Sequence, residues 1–301
     1  MNTPAWRRWR DRLLLQEDLN FLLTNRVPRL ALTRFMRWFS KIEQPLVRDL
    51  SIALWKTFSD VDFADALKPR FRSLHDAFIR ELRPGARPFD PDPGVLASPC
   101  DAIVGACGDA SGTEIWQAKG FNYRLEDLFG SRSQATTYRD GCFVTLRLTA
   151  GMYHRFHAPA DLVVRHVTHL VGDTWNVNPI ALQRVERLFC RNERAAIHAT
   201  LLDDGMPVAL VPVAAILVAS LRLHVLDRVL NIDHPGPHEF DCDATVARGQ
   251  EMGWFEHGST VIVFAPKGCT LAPTIHPGQP IRAGQALIHR PSSPWRHCDA
   301  E

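Results

Sequence analysis

Little net charge, no paired-cysteine motif, no long uninterrupted apolar run and no repeat: each absence narrows what this chain can be. A formal net charge of +2 on 301 residues leaves no electrostatic footprint for nucleic acid. Seven cysteines, an odd number without a C-x-x-C pair, give neither a disulfide framework nor zinc-finger spacing. Free thiols suit a reducing compartment, so the cytoplasm is expected. The N-terminal stretch has no uninterrupted apolar core of the kind a secretory signal carries. The longest apolar run, Val208 to Leu221, is interrupted by Pro212 and is too short for a membrane span. It reads as one or two buried strands. Any meeting with a membrane is therefore expected to be peripheral.

What is present is an ordinary folded composition, 46% apolar and 23% charged, in a chain long enough to bury a substantial core. Two regions differ in period. Over residues 5–60, Trp6, Trp9, Leu13, Leu14, Phe21 and Leu22, then Leu30, Phe35, Met36, Trp38 and Phe39, recur at near-helical spacing among arginines. Residues 1–42 hold nine Arg and Lys against three acids. Such helices can lie in an anionic bilayer interface, and the pattern equally fits amphipathic helices packed on the protein's own core. A short helix is predicted over 72–82, followed by a proline-marked linker. From about Val95 the pattern becomes short alternating runs, among them Cys142 to Leu148, Asp161 to Val167, Ala195 to Leu201 and Val261 to Phe264. The expected fold class is α+β: a β-rich core over residues 61–301 with an amphipathic helical region over 1–60.

Three segments carry reactive groups. Asp101 follows the turn Ser98-Pro99-Cys100, His154 and His157 lie in Tyr153-His154-Arg155-Phe156-His157-Ala158-Pro159, and Ser259 lies in Gly258-Ser259-Thr260 at the mouth of the run Val261 to Phe264. Gly258 leaves its carbonyl open to close approach, and Ser259 places a hydroxyl beside it. Asp, His and Ser together offer an orienting carboxylate, a base and a nucleophile. The His-x-x-His pair could instead ligate a metal with His166, His169 or Asp161. No further His or Glu spacing supports that, and no metal is expected.

The segments Ser98-Pro99-Cys100-Asp101, Lys119-Gly120-Phe121-Asn122-Tyr123-Arg124-Leu125, Tyr153 to Pro159, Gly172-Asp173-Thr174-Trp175-Asn176-Val177-Asn178, Asn192-Glu193-Arg194 and Gly249-Gln250-Glu251-Met252-Gly253 with Gly258-Ser259-Thr260 occur in one order. The set resembles the pyruvoyl-dependent phosphatidylserine decarboxylases of prokaryotic type, from about Leu19 to Leu287. The resemblance implies that Ser259 is nucleophile and cofactor precursor, His157 the general base, Asp101 its orienting carboxylate, and His154 the residue serving decarboxylation. It further implies cleavage between Gly258 and Ser259 into residues 1–258 and 259–301, two fragments that stay together as a heterodimer. Ser259 would attack the Gly258 carbonyl, an ester would form, elimination would free residues 1–258 and leave dehydroalanine at position 259, and its hydrolysis with loss of ammonia would give a pyruvoyl group. That group would take phosphatidylserine as a Schiff base, release CO2 and yield phosphatidylethanolamine. The implied location is the cytoplasmic face of a bacterial inner membrane, reached through residues 1–42. Ala102 stands where the family commonly has glycine, Ala160-Asp161-Leu162 replaces a more glycine-like turn, and His257 occupies a usually apolar position. None of these removes a reacting group. Two alternatives stay open: a pyruvoyl decarboxylase of another amine-bearing carboxylate, and a non-catalytic lipid-binding relative.

Overall fold

In the computed structural model, residues 21, 27–118, 121–216, 220–231, 233, 238–256, 260–293 and 295 are described. Two helices come first, α1 (Arg29–Phe39) and α2 (Pro45–Phe58). The break between them is built by Gln44, whose side chain accepts from the Val47 N–H at 2.7 Å, and by Pro45 at the first helical position. The helical expectation over 5–60 thus resolves into these two elements, while residues 1–20 and 22–26 lie outside the described residues. The helix predicted over 72–82 is shorter, α3 (Leu74–Phe78), capped by Ser73 on the Asp76 N–H. The chain leaves it early because Leu82 bridges Ala66 in extended form.

The β region then runs through β1 (Val95–Ala97), β2 (Ala102–Asp109), β3 (Glu114–Ala118) and β4 (Phe121–Arg124). Helices α4 (Leu125–Phe129) and α5 (Arg132–Thr137) precede β5 (Cys142–Arg147), β6 (Arg155–His157) and β7 (Leu162–Leu170). After α6 (Pro179–Arg184) and α7 (Leu188–Arg191) come β8 (Arg194–Leu201), β9 (Pro207–Val213), β10 (Leu221–Leu223) and β11 (Arg228–Leu230). The last are β12 (Glu239–Val246), β13 (Glu251–Phe255), β14 (Thr260–Ala265), β15 (Thr270–Leu271), β16 (Pro280–Ile281) and β17 (Ala286–His289). The fold is α+β with a β-rich core, as the periodicity implied.

Eight strands form the main antiparallel sheet in the order β12-β7-β8-β9-β14-β5-β2-β16. β14 sits inside it between β9 and β5, and all six of its residues are buried. A strand buried on both faces serves two cores, and alternation assigns its residues to them. Val261 and Val263 join Val144, Leu146 and Leu210 in one cluster, while Ile262 and Phe264 join Phe129, Phe143 and Val211 in the other. A second sheet, β11-β10-β13-β6, brings β13 beside β6. There Gly253 is required by packing, because a Cβ at that position would meet the Arg222 carbonyl oxygen at 2.0 Å. The sequence between β13 and β14 is therefore short, and both of its ends are anchored in sheets.

The helical region is attached differently. Thr33 is the buried residue of α1, and α2 has none. Leu46, Leu50, Leu54 and Phe58 recur every fourth residue along one exposed stripe of α2, and Leu30, Phe35 and Trp38 of α1 are exposed as well. The described cations of residues 1–42 face the protein instead of forming a free basic surface. Arg29 pairs with Asp173, Arg34 and Arg37 pair with Asp233, and Lys41 pairs with Glu256. Trp6, Trp9 and the arginines before residue 27 lie outside the described residues. No helix among the described residues is long and apolar enough to cross a membrane.

Candidate active site

β6 carries His157 at its end, and the neighbouring β13 is preceded by the turn that holds it. The His157 Nδ1 lies 3.0 Å from the Gly249 carbonyl oxygen, and Nε2 lies 3.0 Å from the Tyr153 hydroxyl. A carbonyl only accepts, so Nδ1 carries the proton and Nε2 is the basic nitrogen, receiving the Tyr153 O–H. Burial pushes the imidazole below its ordinary value, outweighing the Gly249 hydrogen bond and the charge of Glu251. Burial likewise pushes the Tyr153 phenol up, so it stays protonated. His157 is thus a neutral imidazole of one tautomer near pH 7, ready to accept a proton at Nε2. Gly249 makes the turn possible: its φ is +75°, and a side chain there would press on the Phe89 ring at 3.0 Å.

Asp101 lies in the turn before β2, and its backbone neighbourhood joins that of His157, whose N–H donates to the Pro99 carbonyl at 2.8 Å. The side chains look elsewhere. Arg87 grips the Asp101 carboxylate with Nε at 2.8 and 3.0 Å and Nη2 at 2.7 Å, and the Ala283 N–H adds a bond at 2.9 Å. The hydrogen bond expected between Asp101 and His157 is not formed among the described residues. A planar guanidinium and a backbone donor already occupy the carboxylate's lone pairs, and the Gly249 carbonyl sets the tautomer in its place. The charge of Asp101 still acts on the His157 imidazole through space, favouring its protonated form.

His154 is fully buried. Its ring stacks on Phe78 with centroids 3.9 Å apart, and its carbonyl accepts from the Phe255 N–H at 3.0 Å, next to the end of β13. The tripeptide His257-Gly258-Ser259 lies outside the described residues. Its flanks do not: Glu256 is 7% exposed and Thr260 is fully buried. Glu256 is held by Lys41 at 3.4 Å and His75 at 3.5 Å. Burial pushes its carboxyl up, but the hydrogen bonds and charges of these two partners prevail and bring it to about 2.

His166 and His169 take no part in this arrangement. On β7, His166 meets Asp241 and His169 meets Glu193. Among the described residues no group of three or more His, Cys, Asp or Glu is placed to hold a metal. Sequence reasoning missed Tyr153, Gly249, Arg87 and Ala283. Tyr153 stood in the same motif as the histidines, and Gly249 opened a glycine-marked turn. Arg87 and Ala283 reach Asp101 across 14 and 182 residues, which no local pattern reports.

A neutral, tautomer-fixed imidazole with a phenol on its basic nitrogen, set in an antiparallel α+β core, is a group able to take up a proton. Comparison with known proteins narrows this further. The family model described as phosphatidylserine decarboxylase matches residues 74–289. A phosphatidylserine decarboxylase proenzyme of Citrobacter koseri is 36% identical over 275 residues, covering 87% of this chain and 84% of that protein. Proenzymes of the same name from Sodalis glossinidius and Erwinia tasmaniensis are each 34% identical, covering 91% and 92% of this chain and 96% and 94% of their own lengths. This chain belongs to the phosphatidylserine decarboxylase family.

Proposed function

We propose that the chain is a self-processing phosphatidylserine decarboxylase that converts phosphatidylserine to phosphatidylethanolamine and CO2. The observation that carries this is His157: buried, neutral, its Nδ1–H spent on Gly249 and its Nε2 linked to Tyr153. In processing, that base takes the Ser259 proton, directly or through the Tyr153 hydroxyl, and the Ser259 oxygen attacks the Gly258 carbonyl. Asp101, fixed by Arg87 and Ala283, contributes a stationary negative charge that favours the imidazolium as it forms. Residues 1–258 and 259–301 then remain as one heterodimer, because β14 is sewn between β5 and β9 by strand pairing.

A pyruvoyl group at position 259 would supply a ketone that takes up the substrate amine and accepts the electron pair left by CO2. The residues present fit it: Glu256 and Thr260 are buried, so the chain enters and leaves the tripeptide where water is scarce. His154, held by Phe78 and by its own backbone bond to Phe255, serves as proton donor to the product. Docking is peripheral, through the exposed apolar residues of α1 and α2. The thiols of Cys100, Cys107, Cys142, Cys190, Cys242 and Cys269 are free, which fits the cytoplasmic face.

Intact-mass measurement tests the reading. Purified protein should show fragments of residues 1–258 and 259–301, the second with a blocked N-terminus that reacts with carbonyl reagents. The same preparation should decarboxylate phosphatidylserine and leave free serine largely untouched. An active preparation made only of uncleaved chain would sink the proposal, and turnover of free serine with no response to phosphatidylserine would move it to another amine-bearing substrate.

A further inference from the structure

Most buried and half-buried arginines among the described residues are engaged by polar partners. Arg87 holds Asp101, Arg155 holds Glu251, and Arg194 is spread over four backbone carbonyls. Arg147, the last residue of β5, is the exception. It makes no side-chain hydrogen bond or ion pair with any described residue. Burial alone acts on it, pulling its pKa down with no acid to offset the cost. A cation desolvated without a partner calls for an anion from outside the chain.

The surroundings say which kind. Arg147 lines a cleft of about 850 Å3 whose other walls are mostly apolar, including Met36, Leu54, Phe58, Phe78 and Ile216. The cleft lies between the helices α1 to α3 and the sheet core, so it is continuous with the exposed apolar stripe of α2. Two contacts join it to the candidate active site. Phe78 is stacked on His154, and Arg147 is the cross-strand partner of Thr260. Such partners stand side by side on one face of the sheet, about 5 Å apart at Cβ. In a serine phospholipid the phosphate and the amine are separated only by an ester oxygen and the serine's Cβ and Cα. An anion on Arg147 would therefore leave the amine within reach of the strand end that carries the reacting position.

We infer that Arg147 binds the phosphodiester of one diacyl glycerophospholipid whose acyl chains fill this cleft. Arg147 is thus the residue that selects a phospholipid-borne serine over free serine; the identity of that headgroup rests on the decarboxylase reading above. The aliphatic part of the cleft supplies affinity, and the guanidinium supplies position.

The test uses full-length Ser259→Ala protein, which cannot process, with two soluble probes followed by calorimetry: dihexanoyl phosphatidate and dihexanoylglycerol. Adding Arg147→Gln should weaken phosphatidate binding about ten- to a hundredfold, the size of one charge-assisted contact, while dihexanoylglycerol binding changes less than about twofold. Arg147→Lys should recover part of the loss, and thermal unfolding should show all variants folded. Leu54→Glu should weaken both probes. Unchanged phosphatidate binding in Arg147→Gln would overturn the inference. So would glycerol 3-phosphate binding as tightly as phosphatidate, which would mark a free-phosphate site, or binding to phosphatidate vesicles alone, which would mark a bilayer surface. Processed enzyme separates this idea from the parent reading. Phosphatidylserine turnover with an unchanged KM in Arg147→Gln refutes the lipid clamp only. Loss of phosphatidate binding in that variant, in a protein whose parent never decarboxylates, refutes the decarboxylase reading only.

Discussion

The helical layer and the strand core solve opposite problems. β14 buries every residue from Thr260 to Ala265 and shares its side chains between two clusters. α2 buries none, and its Leu46, Leu50, Leu54 and Phe58 stripe is exposed, with Leu50, Leu54 and Phe58 lining the open cleft beside Arg147. The core is therefore held by packing, whereas α1 is tied to it by ion pairs such as Arg34 on Asp233, and α2 by the contact of Trp55 with Phe78. Exposed pairs of this kind are worth little each. An apolar stripe left open on a weakly attached layer is a surface made for something other than this chain. The proposed division gives chemistry to the core and docking to the helices, and it can be attacked from both sides.

The largest expected effect is in the core. His157→Ala should abolish self-cleavage, read by intact mass, because the nucleophile loses its base; His154→Ala should cleave yet decarboxylate poorly. If both variants process and turn over normally, the roles assigned to the two histidines are wrong. Tyr153→Phe removes the O–H on Nε2 and should slow cleavage about ten- to a hundredfold. The same chemistry has a pH signature. Because burial depresses the His157 pKa, the base stays neutral below its ordinary value near 6.5, so cleavage should persist at pH 6.5 and fall only on further acidification. A rate that halves above pH 7 would contradict this.

A matched pair of truncations measures the packing difference directly. Ile262→Ala should cost roughly 2–5 kcal/mol in denaturant unfolding, as a buried core truncation does. Leu46→Ala, at 72% exposure, should stay within about 0.5 kcal/mol. Comparable losses would mean that α2 packs on something in solution and would erase the distinction. Vesicle co-sedimentation sharpens it from the other side. Replacing Leu30, Trp38 and Leu46 by Ser should lower vesicle binding about a thousandfold or more, given roughly 1.5 kcal/mol or more for each fully buried apolar side chain, while cleavage proceeds. Raising salt should matter less, since the described cations of residues 1–42 are already paired with acids of the chain. Binding that vanishes with salt and ignores the apolar substitutions would return docking to the basic residues.

The smallest effect sits at the seam. Glu256 has its carboxyl held down at about 2 against an ordinary 4.5, so its pairing with His75 and Lys41 stabilises the fold above pH 4.5 and is lost as pH falls toward 2. Glu256→Gln should cost about 1–2 kcal/mol at pH 7, and the deficit should close near pH 2. A deficit independent of pH would show that Glu256 acts by shape alone.

Much of this was readable in the residues. The β-branched and aromatic run from Val261 to Phe264 and the partly alternating run from Cys142 to Leu148 mark strands, and both form strands in the sheet. Asp101 and His157 were recognisable as reactive types, and the His157 N–H does bond to Pro99 in the turn that leads to Asp101. Their partners were not recognisable. The helical pattern of residues 29–58 fitted a packed helix and an exposed one equally, since amphipathicity records that one face is apolar and not what covers it.

By itself, then, the sequence determined the local periods, the β-rich class and the reactive residue types, all of which depend on neighbours a few positions apart. Only the tertiary structure decided that the carboxylate of Asp101 goes to Arg87 and Ala283, that His157 takes its tautomer from Gly249, and that Arg147 faces an apolar cleft with no described acid beside it. The physical reason is saturation: a lone pair or an N–H once satisfied is spent, and which group reaches it is settled by how segments 14 to 182 residues apart are packed together.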